Sequence, residues 1–131
     1  MALNPALFSS QKMNWKTPKK FYEELDKEFS FDFDPCPVQP GFDGLGPHRW
    51  GKVNFVNPPY GRELPKWIRR GFEEWSISGA TVVFLIPSRT DTRWWHDYCM
   101  KATEIRFIKG RLYFDDGMGR APFPSCLVVF K

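Results

Sequence analysis

Thr81-Val82-Val83-Phe84-Leu85-Ile86 is a near-continuous apolar run, closed by Pro87-Ser88. A short run of this kind is the pattern of a strand covered on both faces, and the proline stops the ladder. Working upstream, Leu64, Trp67, Ile68, Phe72 and Trp75 recur at helical spacing, which predicts a helix over 64–75 with Gly79 ending the turn after it. Before it, 53–56 reads as a short strand that runs directly into Asn57-Pro58-Pro59-Tyr60-Gly61. Phe29-Ser30-Phe31-Asp32-Phe33 alternates as a strand should and stops at Asp34-Pro35-Cys36-Pro37. Phe21, Tyr22, Leu25 and Phe29 mark a helix over 18–28, with Thr17 as N-cap and Pro18 in the first turn.

Downstream, 92–102 reads as a helix, 104–108 and 111–114 as strands around Gly110, and 126–130 as a last buried strand. Residues 38–51, rich in Gly and Pro, and residues 115–124 read as loops. Residues 1–14 lack periodicity and read as a lead-in to one domain over 15–131. Short apolar strands alternating with helices predict a three-layer α/β fold. The expected sheet is mostly parallel, with about five or six strands and flanking helices.

Composition narrows the function classes. Of 131 residues 42% are hydrophobic and 26% charged, a globular balance that excludes a disordered chain. No apolar run approaches the roughly 18–20 residues that cross a bilayer, and no secretory leader is read at the N-terminus. Cys36, Cys99 and Cys126 form neither a disulfide framework nor a zinc pattern, and with only His48 and His96 beside them no metal site is expected. The expected compartment is reducing and cytoplasmic. A net charge of +4 is compatible with nucleic acid without demanding it.

The chemistry concentrates at Asn57-Pro58-Pro59-Tyr60. Two prolines hold the backbone rigid just beyond a strand's carboxyl end, the edge where α/β sheets bind ligands. Asn57 carries an amide with donors and an acceptor, Pro58 a carbonyl of fixed direction, and Tyr60 a ring and a hydroxyl. Such a set can hold a planar group bearing NH2, the two oxygens accepting its hydrogens and the ring stacking on it. The same residues would also make a rigid turn under an aromatic lid.

Asn-Pro-Pro-Tyr after a strand resembles the catalytic motif of S-adenosylmethionine-dependent amino-methyltransferases. The chain as a whole resembles the small phage-type DNA adenine N-methyltransferases over roughly residues 15–131. The likeness rests on Trp15-Lys16-Thr17-Pro18 with Phe21, on Phe31 through Cys36, on Asp43-Gly44-Leu45 with Trp50, and on the tetrapeptide. It continues through Ile86 to Thr92 with Trp94 and Trp95, Gly110-Arg111-Leu112 with Phe114, and Pro122-Phe123-Pro124-Ser125. The resemblance implies a minimal Rossmann-like methyltransferase acting on the exocyclic amine of adenine in DNA, carried by a phage or prophage in a bacterial host cell.

It further implies catalytic Asn57, Pro58, Pro59 and Tyr60, and S-adenosylmethionine held by Trp15, Thr17, Pro18, Asp34, Pro35, Cys36 and Asp43. DNA would meet Arg89, Arg93, Trp94 and Arg111, with Lys19, Lys20, Arg69, Arg70, Lys109 and Arg120 as further candidate phosphate contacts. Two departures stand out. The Gly-rich turn after the first strand is reduced to Asp34-Pro35-Cys36-Pro37, and only about twenty residues separate Asp34 from the strand before the tetrapeptide, against the longer spacing of two strand–helix units. Amino-methylation of cytosine or RNA, and nucleic-acid binding without catalysis, therefore stay open.

Overall fold

The computed structural model describes residues 15–38, 41–114 and 119–131. The expected lead-in over 1–14, residues 39–40 of the 38–51 loop and the start of the 115–124 loop lie outside these residues.

Helix α1 runs Lys19–Phe29. Its N-cap is Pro18, which makes no side-chain capping bond, and the first helical carbonyl bond is Tyr22 N–H to Pro18 O at 3.0 Å. Thr17 is thus outside the helix, and its expected capping role is replaced by another described below. Strand β1, Val53–Val56, leads into the tetrapeptide. Helix α2, Leu64–Ser78, starts with Pro65 in its first turn and ends at Gly79 in the left-handed conformation (φ 75°), where glycine carries no Cβ penalty. Strand β2 is Thr81–Pro87.

The helix expected over 92–102 is two pieces, α3 at Arg93–Asp97 and a 3-10 turn at Cys99–Lys101, broken at Tyr98. Thr92 caps α3 by accepting from Trp95 N–H at 3.3 Å. Strands β3, Glu104–Phe107, and β4, Ser125–Phe130, complete the described elements.

The sheet has four strands in the order β1-β2-β4-β3. β1 pairs parallel with β2, while β4 pairs antiparallel with both β2 and β3. β1, β2 and β3 therefore run one way and β4 the other. This corrects the expected mostly parallel sheet of five or six strands: it is a mixed four-stranded one. Residues 29–33 contribute one parallel bridge, Phe33 to Asn54. There the Asp32 carboxylate accepts Val53 N–H at 3.1 Å, taking the donor that a longer ladder would give to a backbone carbonyl. Residues 111–114 form no strand beside β3. Tyr113 bridges instead to Arg120, and Ala121 N–H donates to Leu112 O at 2.8 Å, so this segment folds back on the residues before β4.

Register assigns the faces. Asn54, Val56, Val82, Phe84, Val128 and Phe130 share one face through their Cα pairing. α2 lies directly on it: a Cβ at Gly71 would come within 2.3 Å of the Phe84 ring. Phe72 and Trp75 of α2 reach Phe130, and Phe72 meets Tyr98 beyond α3. The other face carries Phe55, on which Tyr22 of α1 packs edge-on at 5.1 Å. At the far end of α1, Glu28 takes a bidentate bond from Arg106 of β3. Helices thus cover both faces, the three layers the sequence predicts, and β2 and β4 are almost wholly buried between them.

Candidate active site

Strand direction gathers the candidate residues. Asp34 after the Phe33 bridge, Asn57 after β1 and Ser88-Arg89 after β2 all follow parallel strands at their carboxyl ends. β4 enters from that same edge, where Ser88 N–H donates to Pro124 O at 2.9 Å. A cavity of about 660 Å³ opens there, within the size range of small-molecule sites. Its wall includes Trp15, Thr17, Asp34, Pro35, Cys36, Asp43 and Asn57. Of the seven residues expected to hold a cofactor only Pro18 is missing from the lining. Its carbonyl starts α1 instead.

Asn57 is the centre of the arrangement. Its side-chain NH2 donates to the Trp15 carbonyl and to Thr17 Oγ1, the latter at 2.9 Å. A backbone carbonyl can only accept, so the nitrogen side of the amide must face Trp15. The other side, Oδ1, is buried and has no hydrogen-bond partner among the described residues. An unmet buried acceptor costs about 1–3 kcal/mol, and such atoms call for an explanation beyond folding.

Asp34 is the acidic element of the cavity. Its carboxylate accepts Cys36 N–H at 2.8 Å, closing a turn at the strand end. Burial pushes its carboxyl up to about 6, opposed by that hydrogen bond. Cys36 beside it is a neutral thiol, pushed up to about 12 by burial and by the Asp34 charge. It is therefore no nucleophile at neutral pH. Asp43 is exposed at the cavity mouth and turns the loop by accepting Leu45 N–H at 2.9 Å.

The sequence pictures Tyr60 as an open stacking face, and the structure places it elsewhere. It is 6% exposed, and its hydroxyl donates to Leu85 O at 3.0 Å. Its ring meets Phe123 at 5.5 Å and Phe114 at 6.4 Å, and Trp15 packs on the same two rings at 5.2 and 5.3 Å. Tyr60 thereby ties the tetrapeptide to the core of β2, and burial raises its hydroxyl pKa well above the usual value. Pro58 is buried and Pro59 half-buried against the cavity.

Arg89 follows β2 with its guanidinium 5.9 Å from the centre of the Phe123 ring. Arg93 is exposed at the start of α3, Trp94 is half-buried against Trp95 at 6.2 Å, and Arg111 is exposed beyond Gly110.

The sequence reading misses the device that holds the 43–50 loop. Glu74, 2% exposed, accepts from Arg70 Nε at 2.9 Å and from Trp50 N–H at 3.3 Å. Arg70 also donates to Gly46 O at 2.7 Å and to His48 O, so its guanidinium is engaged inside the protein. Trp50 Nε1 donates to Gly44 O at 2.8 Å, and a Cβ at Gly44 would strike the Pro35 carbonyl at 2.0 Å. The signal available in the sequence is the four-residue spacing of Arg70 and Glu74 on a helix.

Comparison with protein families gives one match. The family model for DNA N-6-adenine-methyltransferase (Dam) aligns with residues 46–123, more than half of the 131-residue chain. The chain belongs to the Dam family. The aligned stretch contains the Asn57–Tyr60 tetrapeptide, Arg89, Arg93, Trp94 and Arg111, whereas Trp15, Thr17, Asp34, Cys36 and Asp43 precede it. No curated protein and no solved structure matches the chain. Among the described residues no helix of this Dam-family protein is long and apolar enough to cross a membrane, and no group of three or more His, Cys, Asp or Glu is placed to hold a metal ion.

Proposed function

We propose that this Dam-family chain transfers a methyl group from S-adenosylmethionine to the exocyclic amine of adenine in DNA, with residues 15–131 acting as one minimal Rossmann-like catalytic unit. The observation that carries the reading is the buried Oδ1 of Asn57, without a partner among the described residues and next to a cavity of cofactor size. The chemistry of the cavity fits the cofactor: a half-buried carboxyl in no ion pair among the described residues, Asp34, suits the ammonium of its methionine part, and Asp43 at the mouth suits a ribose hydroxyl. When bound, S-adenosylmethionine supplies an electrophilic sulfonium methyl.

The chain's own residues position the amine. Asn57 Oδ1 and the Pro58 carbonyl accept its two hydrogens, which favours a tetrahedral nitrogen and frees a lone pair otherwise conjugated with the ring. The Asn57 amide is held by the 15–17 segment before the reaction, so catalysis is positioning and electrostatics with no covalent intermediate. The target amine is out of reach in a duplex, so the base is extruded to the sheet edge. With Tyr60 occupied in the core, its part is to fix Asn57 and Pro58 from below.

Asn57→Ala tests this. Methyl incorporation into DNA is expected to fall by about 10²–10³-fold, as for removal of one preorganised polar group, with melting temperature and cofactor affinity retained. Nucleoside analysis of the wild-type product is expected to show N6-methyladenine. Methylated cytosine, or RNA as the acceptor, overturns the substrate assignment, and full activity in the variant overturns the role of Asn57.

A further inference from the structure

We infer that Thr17 is a positioning residue for Asn57: the Trp15 carbonyl decides which end of the Asn57 amide is presented for reaction, and the Thr17 hydroxyl holds the amide in that place. The inference rests on the methyltransferase reading above and adds a residue to it. A terminal amide exchanges its oxygen and nitrogen by a half-turn about its last torsion, and only its neighbours decide between the two orientations. Here both partners of the Asn57 nitrogen come from one three-residue segment, about forty residues upstream. That segment is itself anchored, because the Trp15 ring is wedged against Phe114 and Phe123.

The alternative duty of Thr17 is vacant. α1 starts at Lys19 with Pro18 as N-cap, and no side chain caps it. The Thr17 hydroxyl is therefore spent on Asn57 instead of on the helix. With the nitrogen held, Oδ1 is the end left without a partner among the described residues. The Trp15 carbonyl, which can only accept, sets the orientation, and the Thr17 hydroxyl adds the second bond that holds the amide in place; without it one of the two restraints is lost and the amide moves out of line with the amine it must accept from. Thr17 and Asn57 both line the cavity, so the segment joins the cofactor wall to the reacting amide.

The test compares Thr17→Val, which keeps the branched shape and removes the hydroxyl, with Thr17→Ala and Thr17→Ser. Two readouts are needed. The first is hydrogen exchange of the Asn57 side-chain NH2 by NMR in the free protein, assigned through Asn57→Ala. The second is steady-state methylation. Thr17→Val and Thr17→Ala are expected to lose NH2 protection and about tenfold in kcat, a typical loss for one hydrogen bond, with KM for DNA and cofactor affinity unchanged. Thr17→Ser is expected to restore both. Protection that survives in both Thr17→Val and Thr17→Ala overturns the inference. So does a rise in cofactor Kd with kcat unchanged, which would make Thr17 a cofactor contact, and so does a lower melting temperature with wild-type activity per folded molecule. A wild-type chain that methylates no DNA, yet shows NH2 protection that Thr17→Val removes, overturns the enzymatic reading and leaves the Thr17–Asn57 link standing.

Discussion

Asp34 gives the residue scale its pH dependence. Its carboxyl is raised from 3.8 to about 6 by burial, so the folded chain holds this proton more tightly than the unfolded one. Between about pH 4 and 6 the unfolded state loses the proton first, and stability declines as pH rises through that window. An ammonium ligand reverses the preference and selects the carboxylate. Cofactor affinity is therefore expected to rise about tenfold from pH 5 to pH 7 and to level off above. Calorimetric titration at several pH values checks this: Asp34→Asn is expected to bind weakly and without that slope, and a flat wild-type profile would remove Asp34 from the ligand's charge balance.

Other residues show where a sequence is and is not legible at this scale. Asn57 is readable because a strand followed by two prolines has one obvious place in an α/β sheet. The stacking face at Tyr60 is not, because residue type says nothing about which rings already surround it. Phe114 and Phe123 come from far along the chain and bury it. Thr17 reads as a helix cap by local rule, and a contact with Asn57 across forty residues wins over that rule.

Elements were most legible where burial is uniform. β2 is apolar along its length and stands as the sequence predicts, one residue longer. Residues 29–33 carry the alternation of a strand and yet form a single bridge, because alternation reports exposure on two sides and not the number of backbone partners. The 43–50 loop has no periodicity to read at all, and its order comes from Arg70 and Glu74. Removing Arg70 leaves Glu74 charged and buried without its main partner, which for a buried pair costs about 3–5 kcal/mol. Arg70→Ala is thus expected to lower the melting temperature strongly. It should also weaken cofactor binding, since the loop carries Asp43 and Gly44 into the cavity wall. A variant that melts like the wild type would show that the loop is held by Trp50 alone.

At the scale of the molecule, the sheet spends its few strands on a single edge. Two parallel strands, β1 and β2, and one bridge deliver Asp34, Asn57 and Arg89 to that edge, and the antiparallel β4 brings Pro124 back to it. The mixed pairing escapes a sequence reading because direction is set by how the chain returns, and the 111–124 segment that returns it is turn-rich and aperiodic. The net charge of +4 is shared unevenly. Arg49, Lys66, Arg69, Arg70, Arg106 and Lys131 lie beside carboxylates. Arg89 and Arg93 take part in no ion pair among the described residues, and both follow β2 at the edge that holds Asn57. DNA phosphates are expected to meet these two and Arg111, which follows β3, a strand running the same way. Each phosphate contact releases counterions and adds about 0.9 to the slope of log affinity against log salt. Three contacts give a slope of about −3, and each of Arg89→Ala, Arg93→Ala and Arg111→Ala is expected to reduce its magnitude by about one, equally for all DNA sequences. Fluorescence anisotropy across a salt series measures this. Lys66→Ala serves as the control, since Lys66 is paired with Glu63 on the exposed side of α2 and is expected to leave the slope unchanged. If the three arginine variants keep the wild-type slope, DNA does not lie along this edge, and the approach to Asn57 must come from another side.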